Sequence, residues 1–324
     1  MRILITGISG FVGPYLARHI AKTAPEAEIW GLVWAADPAE PSSSFQLVEG
    51  DLTDISTLTT ALNQVRPDII FHLAAASSVA SSWDHPGRFL EVNAVGTVNL
   101  LEVARTLDID TRVVVSSSAE VYGAVPADRQ PITEDSPLEP LSPYAASKAA
   151  QDLLTAQYYH GHGMPTIRLR LFHHTGPRRP TQFVASSFAH QIARIERGLE
   201  PPRLAVGNLE AVRDFTDVRD IARAYWLAAI RGIPGAVYNV CSSRSTSIRR
   251  VLDMLLAQSE VEVEIGVDRD RLRAADIPCL VGDHSKFSDA TDWQPEIPLA
   301  KTLDDLLNWW RDKLSNQSHP ASDQ

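Results

Sequence analysis

The sequence is short of several features that would announce a function. It holds two cysteines, Cys241 and Cys279. They make no CxxC spacing and have no histidine arrangement near them, so neither a disulfide framework nor a metal site is expected, and both read as small core residues in a reducing compartment. No apolar run approaches membrane-span length. The opening MRILITGISG lacks the charged, apolar and small-residue regions of a secretory signal. A cytoplasmic protein without a membrane partner is therefore expected. Positive charge is also in deficit: the formal net charge is -10. Global repulsion argues against nucleic acid or an anionic membrane as partner, while a local basic pocket for a phosphate ester remains open. The sequence shows no internal repeat and no low-complexity tract.

What is present is ordinary soluble composition, 44% apolar and 22% charged over 324 residues, enough for a large core and one to two domains. Short apolar runs alternate with helix-like stretches through the first half. Arg2–Thr6, Glu28–Val33, Gln46–Glu49, Ile69–His72, Arg112–Ser116 and Thr166–Leu171 read as strands. Helices are expected at Val12–Ala21, Ile55–Val65, Gly87–Leu107 and Tyr144–Gly161. This alternation predicts an α/β fold, a Rossmann-type doubly wound parallel sheet. After Leu171 the rhythm breaks into Pro-, Arg- and Gly-rich loops, with helices expected at Phe183–Arg197, Asp217–Ile230 and Ser247–Gln258 and a strand at Ala236–Val240. A smaller α/β substrate-binding lobe fed by two excursions is expected. On this reading residues 1–171 and about 214–241 bind a dinucleotide, about 172–213 and 242–315 form the lobe, and 316–324 fray.

The first strand runs directly into Gly7-Ile8-Ser9-Gly10-Phe11-Val12-Gly13, a GxxGxxG turn that opens a helix. Glycines let the backbone approach a pyrophosphate, and the helix N-terminus offers free N–H groups and a favourable dipole. Gly7, Gly10, Phe11, Val12 and Gly13 are thus cofactor-binding candidates. Asp51 and Leu52 follow the third strand, where the aspartate can accept from an adenine amino group, cap the helix ahead of Ile55, or do both. Leu73, Ala74 and Ala75 follow the fourth, small enough for backbone to lie against a flat cofactor, although packing alone also explains them. The second strand ends Leu32-Val33-Trp34-Ala35-Ala36, with neither an acid for a ribose 2'-hydroxyl nor an arginine for a 2'-phosphate. The expected cofactor is NAD(P)H, with a slight lean to NADH.

Val115-Ser116-Ser117-Ser118 ends a strand, and Tyr144 and Lys148 lie four residues apart on one helical face. The spacing suits a phenol whose proton is made easier to lose by a neighbouring cation, with a serine hydroxyl holding a carbonyl oxygen beside it. YxxxK alone is common; downstream of a glycine-rich turn and a serine-ended strand it reads as catalytic.

Together these features resemble the extended short-chain dehydrogenase/reductase family over nearly the whole chain. The family's Ser/Thr, Tyr and Lys match Ser118, Tyr144 and Lys148. Three later segments, LFHHTGPRR from Leu171, GNLEAVRDF from Gly207 and RAAD from Arg273, are similar to the GDP-sugar branch. That branch contains GDP-mannose 4,6-dehydratases and the reductases acting on their product, GDP-4-keto-6-deoxymannose. The resemblance implies that His174 and Arg179 contact the cofactor and that Arg213 and Arg273 clasp the sugar-nucleotide diphosphate, where a planar guanidinium pairs with phosphate oxygens. A salt bridge with neighbouring Asp214 is the plainer alternative for Arg213. His173 stands where the branch has asparagine, either as a substrate contact or as a packing residue. A homodimer through a helix pair is also implied.

The expected reaction is reduction of the C4 ketone of GDP-4-keto-6-deoxy-D-mannose to a GDP-6-deoxyhexose such as GDP-D-rhamnose. The alternative is dehydration of GDP-mannose, with Glu120 removing the C5 proton. Ser118 in place of a threonine, the short arginine-free stretch Trp34–Ser44 and the strand VYNVCS from Val237 favour reduction; sugar epimerisation is a more distant expectation. A non-catalytic nucleotide-binding scaffold is the contrasting reading, against which Tyr144 and Lys148 both stand.

Overall fold

A computed structural model describes residues 1–34, 44–268, 271 and 277–317. Its first half alternates strand and helix: β1 (Arg2–Thr6), α1 (Gly13–Thr23), β2 (Glu28–Val33), β3 (Gln46–Glu49), α2 (Ile55–Val65) and β4 (Ile69–His72). There follow α3 (Val79–Asp84), α4 (Pro86–Leu90), α5 (Gly96–Thr106), β5 (Arg112–Ser118), α6 (Pro143–His162) and β6 (Thr166–Leu171). The rest comprises β7 (His173–Thr175), α7 (Val184–Glu196), β8 (Arg203–Val206), β9 (Val212–Asp217), α8 (Val218–Arg231) and β10 (Val237–Val240). It closes with β11 (Ser245–Ser247), α9 (Ile248–Leu256), β12 (Glu264–Val267), β13 (Cys279–Leu280), α10 (Ser285–Thr291) and α11 (Leu299–Gln317).

Seven of these strands form one parallel sheet in the order β10-β6-β5-β4-β1-β2-β3. Central strands are covered on both faces, and β4 and β6 are buried at every residue, β6 including Arg168 and Arg170, which pair with Asp152. One face packs on α1 and α8 through Ile3, Ile5, Leu16, Ile20 and Tyr225; the other packs on α2 and α5 through Leu4, Leu58, Leu62 and Leu100. The order reverses on either side of β1, and in such sheets ligands bind at the carboxyl ends of the strands at that reversal. A smaller sheet joins β11, β9 and β13, with β7 added alongside β9. Behind it α7, α9 and α11 bury Phe188, Ile192, Leu252, Leu306 and Trp310. Trp310 also donates its indole N–H to Ser186 Oγ at 3.0 Å. Among the described residues, no helix is long and apolar enough to cross a membrane.

Three sequence expectations need correction. The helix expected over Gly87–Leu107 is interrupted by a π turn at Glu91–Val95 between α4 and α5. A π turn is a single i→i+5 turn set inside α-helix, too short to leave a period of its own in the sequence. Asp54, not Asp51, caps α2, accepting from the Ser56 and Thr57 N–H groups. Cys279 is only partly buried, whereas Cys241 is in the core.

Candidate active site

A cleft of about 950 Å³ opens at the carboxyl ends of β1, β4, β5 and β6 and runs across to the smaller sheet. Its first wall is the glycine turn. Gly7 adopts φ +71, and a Cβ there would stand 2.8 Å from the Ala74 nitrogen. A Cβ on Gly13 would lie 2.7 Å from the Gly7 oxygen. Both positions thus require glycine. The N-terminus of α1 begins after Val12 with no side-chain cap, no acid in its first turn and Pro14 in place of one N–H donor. Its remaining N–H groups and dipole face the cleft, and Gly10, Phe11, Asp51, Leu52, Leu73, Ala74 and Ala75 line the same wall. Asp51 accepts from the Thr53 N–H and hydroxyl, both at 2.8 Å. This wall fits a dinucleotide: an uncapped helix end meets the pyrophosphate, and two glycines leave no Cβ in its way.

The floor brings Ser118, Tyr144 and Lys148 together. Ser118 ends β5; Tyr144 and Lys148 follow one another on α6, which Ser142 caps through the Ala145 N–H and Gly163 ends in the left-handed conformation. Burial pushes the Tyr144 phenol up to about 12, partly opposed by a hydrogen bond from Ser118 and by the Arg179 charge. Burial lowers Lys148 to about 7, partly opposed by Asp152. Its ammonium is drawn inward to the Ser116 carbonyl, 2.5 Å away, and to Gln151 Oε1, 2.7 Å away. The Arg179 charge eases proton loss from Tyr144, and desolvation outweighs it.

His174 stacks on Phe11 at 6.0 Å, and its Nδ1 donates to the Phe172 carbonyl at 3.0 Å. Since a carbonyl only accepts, Nε2 carries the lone pair and faces Arg179 at 3.5 Å. Burial holds this ring near 3 and therefore neutral. Arg179 is sandwiched between Phe11 and Phe183, its guanidinium 4.7 and 3.4 Å from the ring centres. Burial lowers it to about 9, which leaves it cationic at neutral pH.

On the far wall His173 lies edge-on to Phe215, with Nε2 4.0 Å from Glu120. Arg213 is buried on β9 and lines the cleft, donating to the Val212 carbonyl at 2.9 Å. Arg273 lies outside the described residues, as do Ala35 and Ala36. The sequence reading missed Arg271, which lines this wall and donates to Ser187 Oγ at 3.0 Å and to Asp268 at 3.2 Å. It also missed Trp34, Phe183 and Tyr225 on the cleft surface. Arg271 could have been found only as one of three alternating arginines from Arg269 to Arg273.

Fold and site define an enzyme of the extended short-chain dehydrogenase/reductase class. Residues 4–306 match the family model for GDP-mannose 4,6 dehydratase. The chain belongs to this GDP-mannose 4,6-dehydratase family. Among its relatives, GDP-6-deoxy-D-mannose reductase of Pseudomonas aeruginosa is 35% identical across 98% of this chain and 99% of that one. GDP-mannose 4,6-dehydratase of Vibrio cholerae is 30% identical across 94% and 92%. The solved structure of RMD from Pseudomonas aeruginosa complexed with NADPH superposes with a TM-score of 0.86 at 34% identity, covering 96% and 99%. UDP-glucose 4-epimerase of Thermus thermophilus in complex with NAD gives 0.85 at 27%, covering 96% and 99%.

Proposed function

We propose that this chain reduces the C4 ketone of GDP-4-keto-6-deoxy-D-mannose to a GDP-6-deoxyhexose such as GDP-D-rhamnose. The observation that carries the reading is Tyr144, whose phenol keeps its proton beside Ser118 on the cleft floor. Similarity to a GDP-6-deoxy-D-mannose reductase over 98% of the chain supports it. A bound reduced nicotinamide supplies the hydride. Ser118 holds the ketone oxygen, and Tyr144 donates its proton as charge develops there. Lys148 offers its ammonium to the cofactor's ribose hydroxyls. Gly7, Gly10, Phe11, Val12, Gly13, Asp51, Leu52, Leu73, Ala74, Ala75, His174 and Arg179 seat the dinucleotide. His173, Arg213 and Arg273 contact the GDP-sugar, and Arg271 joins them from the same wall.

In this reading residues 1–171 and about 214–241 serve the dinucleotide, and about 172–213 and 242–315 serve the sugar nucleotide. The active unit is a homodimer. The cofactor site discriminates weakly and leans to NADH; a preference for NADPH of about a hundredfold in kcat/KM, roughly 2.7 kcal/mol, contradicts that part.

One observation favours the dehydratase reading: Glu120 reaches the same cleft beside His173, as a base for a C5 proton requires. The test adds GDP-4-keto-6-deoxy-D-mannose to the enzyme with NADH or NADPH and follows nicotinamide absorbance. Stoichiometric loss is expected, and GDP-mannose alone is expected to give no product. Conversion of GDP-mannose with only catalytic cofactor, abolished by Glu120→Gln, overturns the reductase reading in favour of the dehydratase.

A further inference from the structure

Beneath the cleft floor five polar side chains from α6, α5, β4 and β1 are bonded end to end. Lys148 Nζ donates to Gln151 Oε1 at 2.7 Å, and Gln151 Nε2 donates to Thr97 Oγ1 at 2.7 Å. Thr97 Oγ1 lies 2.8 Å from His72 Nε2, and His72 Nδ1 lies 2.8 Å from Thr6 Oγ1. Thr6 Oγ1 in turn accepts the Ala74 N–H at 3.1 Å, at the wall of the dinucleotide site. Gln151, Thr97, His72 and Thr6 are wholly buried.

Counting protons fixes every direction in this chain. The Thr97 hydroxyl gives its single proton to the Asn93 carbonyl, 2.7 Å away. His72 Nε2 therefore donates to Thr97, which leaves Nδ1 to accept from Thr6. Burial holds His72 near 3, so the ring carries one proton, as this assignment needs. Thr97 has no proton to offer Gln151, so the Gln151 amide turns its NH2 toward Thr97 and its oxygen toward Lys148. A flipped amide would set two acceptors against each other and an NH2 group against an ammonium.

Asp152, one residue further along α6, does not fill this place, because its carboxylate already accepts from Arg168 at 3.1 Å and Arg170 at 3.0 Å. We propose that Gln151 is a positioning residue: its locked amide oxygen and the Ser116 carbonyl hold two of the three Lys148 N–H bonds and leave the third for the cleft. The inference rests on reading Lys148 as the ammonium of the reduction site. The groups facing Lys148 are Tyr144 and Asp152 on its own helix, His72 on β4, Arg168 and Arg170 on β6 behind Asp152, and Tyr225 on α8 beside Ser116.

The chain has five lysines, Lys22, Lys148, Lys286, Lys301 and Lys313, so NMR of the full chain labelled with carbon-13 lysine can follow Lys148 directly, its signal assigned by loss in Lys148→Met. A midpoint near 7 is expected for the unmodified chain. Gln151→Leu removes the acceptor and should move it down by roughly one pH unit, whereas Gln151→Glu supplies a charged acceptor and should move it up by about one unit or more. The alkaline limb of kcat, where Lys148 loses its proton, should follow in the same two directions. A merely structural residue would lower thermal stability in both variants and leave the midpoints in place; unmoved midpoints, or movement in one direction in both, overturn the proposal. If Gln151→Leu does not fold, the neutral Gln151→Met takes its place, and an unmoved midpoint there is equally contrary. Opposite NMR shifts in an enzyme that does not reduce the 4-keto sugar would retire the reductase reading and leave the Gln151 assignment standing.

Discussion

The two walls of the cleft are built on different plans. Behind the dinucleotide wall and floor, polar side chains are bonded to one another inside the protein: Thr6, His72, Thr97, Gln151 and Lys148 form one line, and Asn93 ties the Ala76 backbone to Ser147 on α6. The far wall offers side chains from short strands and loops, with His173, Arg213 and Arg271 reaching into the cleft from β7, β9 and the segment after β12. The first arrangement suits chemistry, because groups held before the reaction need no reorganisation during it. The second suits recognition of one substrate among many, since loops can change without disturbing the sheet. Substitutions on the floor should therefore alter turnover, and substitutions on the far wall should alter substrate affinity.

The largest effect is expected at Tyr144. Tyr144→Phe should lower kcat by roughly a hundred- to ten-thousand-fold with cofactor affinity nearly unchanged, measured by steady-state kinetics and cofactor titration. Activity within a few-fold of the parent would remove Tyr144 from the chemistry. Arg213→Met or Arg271→Met should instead raise KM for the GDP-sugar about ten- to a hundredfold, the worth of one charge-assisted hydrogen bond, and leave kcat close to its starting value. Loss confined to kcat at either arginine would erase the division between the walls.

Smaller again is Gly7→Ala. The added methyl meets the Ala74 backbone at a positive φ, so cofactor binding should weaken about tenfold while KM for the sugar nucleotide, measured at saturating cofactor, stays put. A further effect concerns pH and stability. His72 is held near 3 in the folded chain, below its ordinary 6.5, so the unfolded chain binds its proton more readily. The stability this contributes is complete above about pH 6.5 and declines as pH falls toward 3, by at most about 1.4 kcal/mol per pH unit. His72→Gln, which can still donate to Thr97 and accept from Thr6, should flatten the acid side of the denaturation profile; an unchanged slope would show that His72 is not buried neutral.

The same contrast governs what the sequence could reveal. β1 through β4 and β6 were readable to the residue, because β-branched and other apolar residues cluster there between turn signals, and the glycine turn is dictated by backbone geometry at Gly7 and Gly13. Tyr144 and Lys148 were readable from helical spacing, but not the inward pull on Lys148, which depends on Gln151, three residues further along α6, meeting Thr97 from α5. The far wall left fainter marks. β7, β11 and β13 span only two or three residues each, too short for any alternation to register. Arg271, which lines the cleft, stands in a run of alternating arginines, so spacing alone does not mark it. Asp51 and Asp54 offer the same capping chemistry three residues apart, and only the turn of the chain gives the cap to Asp54.

The central claim is net reduction at the sugar's C4, with the proton supplied from the Tyr144 floor. Its most direct measurement gives the enzyme GDP-4-keto-6-deoxy-D-mannose together with reduced nicotinamide deuterated at C4, using each prochiral label in turn, and examines the sugar by NMR and mass spectrometry. One deuterium at C4 of the product sugar is expected with one of the two labels, and one equivalent of nicotinamide oxidised per sugar. Absence of the label from the sugar with both cofactors, while GDP-mannose is converted to the 4-keto sugar without net change in nicotinamide, would contradict it.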